Sequence, residues 1–498
     1  MKFLALVLLL PSLLSATDPT PATRRWWSHL QAMANDSLAG RDTGSEGYRK
    51  AAGYVVRQFA AAGLRPAGEN GSWYQSVPMH KVRLRADRSD AALISRDGSV
   101  RRLEWLHQIS IAARAGLPEA IDAPLVFAGQ SAPPEASGKI LVRLNTGMRR
   151  AAAPASSTAL GTLAIDSTTG PEPARWPVQY AVAVTLAGDT PAPSPRAAGL
   201  ALRFNPAAAE DLFAGSGHTY RELAALAEAG KPLPTFDLAV RLRAHLNMES
   251  SDLRADNILG VLPGSDPALA GEYVVVSAHL DGYGIGEPWK DGDNIYNGAF
   301  DDAAYVATLI DFAERLKDSG TRLKRPLLFA VWTGEEKGLL GSRWYVAHPT
   351  LPRTAFVANV NLDQLRPIFP LKILTTLALD DSTLGDTVRR VATAMDIRVQ
   401  PDPEPERNLL RRSDHWSFMG IGVPSVGFIF GYEKGSPEEA VYRRWYAERY
   451  HSPKDDLAQP WDPAAAAKFN DFFGRVVREI AGAPQRPKWN PASPYAPK

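Results

Sequence analysis

Apolar residues fall at two distinct spacings along the chain, and the change of spacing divides it. Over 23–74 the pattern is helical: Ala51, Ala52, Val55, Val56, Phe59 and Ala62 return to one face every 3.6 residues. From 76 to about 248 short alternating runs at 91–95, 125–127 and 140–142 sit between Pro-, Gly- and Ala-rich stretches, which predicts a β-rich or mixed module. From Asn257 the order becomes strand, helix, strand, the pattern of a largely parallel sheet. The run 273–279 is apolar without alternation, as a strand buried on both faces requires. Ala303, Val306, Ala307, Ile310, Ala313 and Leu316 mark a helix, and 327–332, 355–362 and 425–430 are further buried strands. The expectation is an α/β fold: a mixed, largely parallel sheet flanked by helices, interrupted by a β-rich insertion. The expected division is 23–105 with 250–482 as one discontinuous domain, 106–249 as the insertion, and 484–498 as an extended, loosely held Pro-rich tail.

Composition narrows the function. The 498 residues carry 56 basic and 54 acidic side chains, a balance that gives no electrostatic case for nucleic acid as a partner. No run of about 18 apolar residues is present, so no membrane-spanning helix is expected. There is no cysteine, which removes disulfides, thiol catalysis and thiolate metal sites and leaves His, Asp and Glu as metal ligands. The start is basic, then apolar over 3–10, then rich in small residues to Ala16. This predicts a signal peptide over 1–16 and export to the periplasm or outside the cell.

With nine histidines in the chain, their placement matters. His279 closes a predicted buried strand and Asp281 follows it. Asp301 and Asp302 open a helix, Glu335 and Glu336 follow the strand ending at Trp332, Asp363 ends another strand, and His451 follows Tyr450 in a late loop. Open α/β sheets bind ligands at such strand ends. Carboxylates buried there are costly unless a cation compensates them. Each has a plainer structural use: Asp301 and Asp302 as a helix cap, Glu335 and Glu336 as a solvated turn, Asp363 paired with Arg366, and His279 as a core histidine.

In their order and local sequence these residues resemble the co-catalytic zinc exopeptidases of the M28 aminopeptidase type. The matching strings are Ser277-Ala-His-Leu-Asp281, Asn297-Gly-Ala-Phe-Asp-Asp-Ala303, Thr333-Gly-Glu-Glu-Lys-Gly-Leu-Leu-Gly-Ser342, Asn361-Leu-Asp363, Ser413-Asp-His-Trp-Ser-Phe418 and Tyr450-His-Ser-Pro453. Leu38-Ala-Gly-Arg-Asp-Thr-Gly-Ser-Glu-Gly-Tyr48 resembles the family's opening segment. The resemblance implies two Zn2+ ions, one on His279 and Asp363, the other on Glu336 and His451, with Asp301 bridging. It implies Asp281 orienting His279, Glu335 as general base toward a metal-bridging hydroxide, and Tyr450 as oxyanion donor. His415 is the rival ligand to His451. A cis bond is expected between Asp301 and Asp302.

Gly282 stands where the family often has a second His, and Phe300 and Tyr305 depart from its pattern near the bridge; both aromatics are expected to shape the pocket. Trp289, Tyr283, Phe300 and Tyr432 are candidate pocket aromatics. Ala123-Pro-Leu-Val-Phe-Ala-Gly129, Gly138-Lys-Ile-Leu-Val142 and residues 151–165 resemble a protease-associated (PA) domain, whose uses would be substrate gating or partner contact. The resemblance implies an aminopeptidase acting on peptides. The alternatives are a carboxypeptidase or dipeptidase on the same scaffold, or a catalytically silent binding protein.

Overall fold

A computed structural model describes residues 19–129, 135–145, 158–167, 169–170, 173–189, 199–364 and 366–497. The expected signal peptide lies outside the described residues.

The fold is mixed α/β, as expected, and among the described residues its two large sheets pack on separate hydrophobic clusters. The larger sheet has four parallel strands at its centre: Leu327–Trp332, Tyr273–His279, Phe356–Leu362 and Ser425–Phe430. Every residue of the second to fourth of these after Tyr273 is buried, which matches their unalternating apolar sequence. Antiparallel strands extend it on both sides. Met248–Leu262 pairs with Leu327–Trp332 and then with Tyr74–Leu84, and Ile373–Leu377 pairs with Ser425–Phe430. The helices Pro21–Ala34, Glu46–Ala61, Ala304–Asp318 and Pro463–Gly482 share the same apolar cluster.

The second sheet runs Val100–Leu103, Asp90–Ser95, Phe236–His245, Ala120–Phe127, Ile140–Leu144, Gly161–Ile165, Leu200–Phe204 and Ile109–Ile111. Two differences from the expected division follow from pairing. Strands Asp90–Ser95 and Val100–Leu103, expected with the first domain, belong to the second sheet. Val182–Leu186, expected in the insertion, adds to the first sheet beside Tyr74–Leu84. Residues 91–95 and 182–186 are both short alternating runs, so their sequence alone does not say which sheet takes them.

The tail is held, contrary to expectation. Trp489 pairs with Ser382 in a bridge and its indole N–H donates to Gly422 O at 2.7 Å. Asn490 N donates to Asp381 O, Ser493 Oγ to Asp381 Oδ1, and Tyr495 meets Trp416 edge-on at 5.6 Å. Aromatic anchoring replaces the missing apolar periodicity. Among the described residues no helix is long and apolar enough to cross a membrane.

Candidate metal centre

The parallel strands deliver their C-terminal ends to one place. His279 is the last residue of its strand, Asp363 follows Leu362, and Glu335 follows Trp332 by three residues. Asp301 lies in the turn that opens Ala304–Asp318, and His451 follows the helix Pro437–Glu448.

Asp301 is the centre of the arrangement. Its Oδ1 is 3.3 Å from His279 Nε2 and its Oδ2 is 3.3 Å from His451 Nε2. Asp363 Oδ1 lies 3.9 Å from His279 Nε2, and Glu336 Oε2 lies 3.4 Å from His451 Nε2. One carboxylate therefore faces two histidines, each with a second carboxylate beside it. The Asp301–Asp302 peptide bond is cis, as expected. Burial pushes the His415 ring down to about 4, and among the described residues no carboxylate pairs with it.

Four of the five candidate ligands have an atom among those left unsatisfied. His279 Nε2, Asp301 Oδ2, Glu336 Oε1 and Asp363 Oδ1 are buried without a hydrogen-bond partner. Burial pushes Glu335, Glu336 and Asp302 well above the carboxylate range, and neighbouring carboxylates push the same way. Burial, then Asp301, takes Asp363 up to about 6. Burial also acts on Asp301, but the facing His279 and His451 rings outweigh it and hold that carboxyl low. Orphaned acceptors converging among crowded carboxylates fit divalent cations.

Second contacts aim these groups. His279 Nδ1 donates to the backbone carbonyl of Asp281 at 3.0 Å, which leaves the Nε2 lone pair facing Asp301. The Asp281 carboxylate, expected to perform this task, is 3.8 Å from Nδ1. It instead accepts the Glu335 N–H at 3.1 Å and the Thr43 hydroxyl at 3.1 Å. It is the backbone of Glu335 that this carboxylate pins. Asp302 is spent on the backbone, accepting from His279 N and Gln364 N at 3.2 Å each.

The Glu335–Glu336 turn folds back so that Gly341 N donates to Thr333 O at 2.8 Å. A Cβ on Gly341 would fall 2.3 Å from that oxygen and from Asn257 Oδ1, so only glycine closes the turn. Tyr450 stacks on His451 with centroids 3.6 Å apart. Its hydroxyl accepts from Arg412 at 3.2 Å and Gln364 at 3.3 Å, so its own proton is free to donate. Burial raises Tyr450 well above its ordinary value, which keeps that proton in place.

Some contributors carried no assigned role at the sequence level. Asp455 accepts the Phe300 and Asp301 N–H groups at 2.9 and 3.0 Å. Fully buried Arg41 donates to Leu280 O at 2.8 Å, to Met33 O and Asn297 O at 2.6 Å, and to Gly298 O at 3.0 Å. Arg41 lies in a string that resembles the family and Asp455 follows one by two residues, which was the available signal. Of the candidate aromatics, Tyr283 is at the site, its hydroxyl 3.0 Å from His451 Nδ1. Phe300 and Tyr305 are fully buried in the core rather than shaping the pocket. Tyr432 donates to Glu404, and Trp289 lies in an exposed loop. Arg366 makes no ion pair with Asp363; its guanidinium lies 4.6–5.0 Å over the rings of Tyr442, Trp445 and Tyr446.

Residues 257–477 match peptidase family M28. The family that the motifs resembled is thus the one found. Leupeptin-inactivating enzyme 1 of Streptomyces exfoliatus is 25% identical over 246 residues, 48% of this chain and 51% of that protein. Carboxypeptidase Q of Xenopus laevis is 36% identical over 78 residues, 16% of this chain and 14% of that one. The chain thus spans about half of the first relative's length and 14% of the second's. Among solved structures, an aminopeptidase from Aneurinibacillus sp. strain AM-1 superposes with a TM-score of 0.59 at 17% identity, covering 95% of this chain and 96% of that one. BSAP, a zinc aminopeptidase from Bacillus subtilis, gives 0.56 at 17%, covering 92% and 94%. At these identities the likeness establishes a shared fold over nearly the whole chain.

Proposed function

We propose that the protein is a zinc-dependent aminopeptidase that removes N-terminal residues from peptides and is exported. The observation that carries the reading is Asp301, with one oxygen 3.3 Å from each of two histidines and each histidine flanked by a further carboxylate. His279 and Asp363 would hold one ion, Glu336 and His451 the other, with Asp301 shared. When bound, such ions polarise a carbonyl and lower the pKa of water toward neutrality.

The chain's own residues supply the rest. Glu335, pinned through its N–H to Asp281, lies 3.8 Å from His279 Nε2 and lines the same cavity as Asp301 and His451. It accepts a proton from the attacking water and returns it to the leaving amine. The Tyr450 hydroxyl, with both acceptor positions filled, donates to the oxygen on which charge develops. The insertion remains our PA-like candidate, supported by the parallel strands Ala120–Phe127, Ile140–Leu144 and Gly161–Ile165. Part of the matching stretch, 151–157, lies outside the described residues. Export rests on the sequence of the first 16 residues and is checked by mass spectrometry of the secreted N-terminus.

The test is mass spectrometry of a mixed peptide pool, half of it N-acetylated, with metal analysis alongside. Stepwise N-terminal loss from free peptides only is expected. Glu335→Gln should keep its metal and lose about 100-fold or more in turnover. C-terminal loss, or cleavage of the blocked half, would replace the aminopeptidase reading with the carboxypeptidase one. No cleavage with no bound metal would leave a binding protein.

A further inference from the structure

The cavity at the candidate metal centre has a volume of about 380 Å³. Besides the candidate ligands, Glu335 and Tyr450, it is lined by Gly338, Leu339, Gln364, Arg411 and Arg412. Leu339 is the one aliphatic side chain among them. A substrate group entering here has little apolar surface to bury and meets two guanidinium groups.

The two arginines are not equivalent. Arg412 donates to the Tyr450 hydroxyl at 3.2 Å and is part of the apparatus that aims that tyrosine. Arg411 is exposed, and its guanidinium lies 4.7 Å over the ring of Trp416. No ion pair of Arg411 with a carboxylate is found among the described residues. Trp416 is in turn braced by the C-terminal tail: Tyr495 meets it edge-on at 5.6 Å and 90°, in a segment fixed by Trp489 on Gly422 O. A flexible side chain is thereby held on a flat aromatic face at the mouth of the site. Stacking leaves the edge of the guanidinium, with its planar array of N–H donors, available to a carboxylate.

We propose that Arg411 reads a carboxylate on the substrate, so that the enzyme prefers acidic peptides. The proposal rests on the peptidase reading of this same cavity. The carboxylate has two sources, the side chain of an N-terminal Asp or Glu, or the free terminal carboxylate of a short peptide. The chemistry recognised is the same.

Metal-loaded full-length protein is assayed at low salt, since an exposed charge pair is screened. Two matched pairs separate the sources: Glu-Ala-Ala amide against Gln-Ala-Ala amide, and Ala-Ala acid against Ala-Ala amide. The acid member of one pair should have the higher kcat/KM by about 10- to 100-fold, the range of a charge-assisted hydrogen bond. Arg411→Gln should bring that ratio close to one, and Arg411→Glu should invert it. Tyr495→Ala, remote from the cavity, should lower the ratio in part by loosening Trp416. Ratios within about threefold in both pairs, or a ratio that Arg411→Gln leaves unchanged, would overturn the proposal. The same four peptides are also titrated calorimetrically into Glu335→Gln protein. A chain that cleaves nothing then still reports whether acid is preferred, which separates failure of this inference from failure of the peptidase reading.

Discussion

Asp455 offers a direct way to ask whether the backbone under Asp301 governs metal binding. Its Oδ1 accepts from Phe300 N at 2.9 Å and from Gln459 Nε2 at 2.5 Å, while Oδ2 accepts from Asp301 N at 3.0 Å. In Asp455→Asn the amide oxygen takes the position that serves two donors. The new NH2 then faces the Asp301 N–H, and the bond lost is the one beneath the Asp301 carboxylate. A hydrogen bond to a charged acceptor contributes about 1.5–3 kcal/mol, and the donor left behind is buried. If that cost falls on the arrangement that binds metal, affinity drops about 10- to 100-fold, at about 1.4 kcal/mol per factor of ten. The assay is competition with a chromophoric chelator at pH 8, above the value of about 7 to which burial pushes the Asp455 carboxyl. Thermal unfolding of the chelated protein runs in parallel. A lower melting temperature with metal affinity within twofold of wild type would refute the reasoning, because Asp455 would then support the fold and not the centre.

Three further outcomes are expected. Asp281→Asn should leave metal affinity within about threefold, because His279 is oriented by the Asp281 backbone carbonyl, the amide oxygen still accepts from Glu335 N, and the new NH2 can donate to the Thr43 hydroxyl. A carboxylate that oriented the histidine would cost about 10- to 100-fold in the same chelator competition. Burial raises the Glu404 carboxyl, and hydrogen bonds from Arg443 and Tyr432 more than offset it, so its folded pKa lies below 4.5. A lowered carboxyl adds stability that is present above the unfolded value and lost as pH falls through the folded one. Glu404→Gln should therefore cost about 1–2 kcal/mol in urea unfolding at pH 7, with the gap closing as pH drops below 4.5; a gap independent of pH would contradict this. Arg175→Ala should weaken binding of one metal equivalent about tenfold and leave the other, because Arg175 holds the carbonyls of Tyr446 and Ala447 just ahead of His451. Equal weakening of both equivalents in a chelator titration would argue against it.

Much of the fold and the site was legible because the residues that matter sit at strand ends. Apolar runs such as 273–279 and 327–332 mark strands by themselves, and the next polar residue is then at the sheet's edge. What was not legible depends on the backbone. The Asp281 carboxylate and the Asp281 carbonyl are the same residue in the sequence, yet they act on different partners, Glu335 and His279. Phe300 beside Asp301 reads as a pocket residue, but the turn at 299–303 directs it into the core. Pairing partners are also hidden: nothing in 182–186 says that it joins the sheet of 74–84 rather than its sequence neighbours. The tail lacks periodicity, so its anchoring through Trp489 and Tyr495 has no pattern to read.

The two halves of the candidate centre are built to different standards. His279 and Asp363 end or follow adjacent strands of the parallel sheet, where neighbouring backbone hydrogen bonds fix their positions. Glu336 and His451 come from loops, and both loops lean on one stretch of the chain ahead of Val182–Leu186. Lys337, next to Glu336, donates to Tyr180 at 2.5 Å and pairs with Asp42 at 3.1 Å. Arg175 closes the helix that precedes His451, and Gln179 donates to the carbonyl of Tyr283, whose hydroxyl faces His451. His451 itself has a φ of +51°, a conformation that costs free energy unless its surroundings impose it. Residues 175–180 therefore belong to the centre's support although they contribute no ligand. A displacement of this stretch would reach Glu336 and His451 before it reached His279 and Asp363, which gives the segment around the second sheet a physical route to the chemistry.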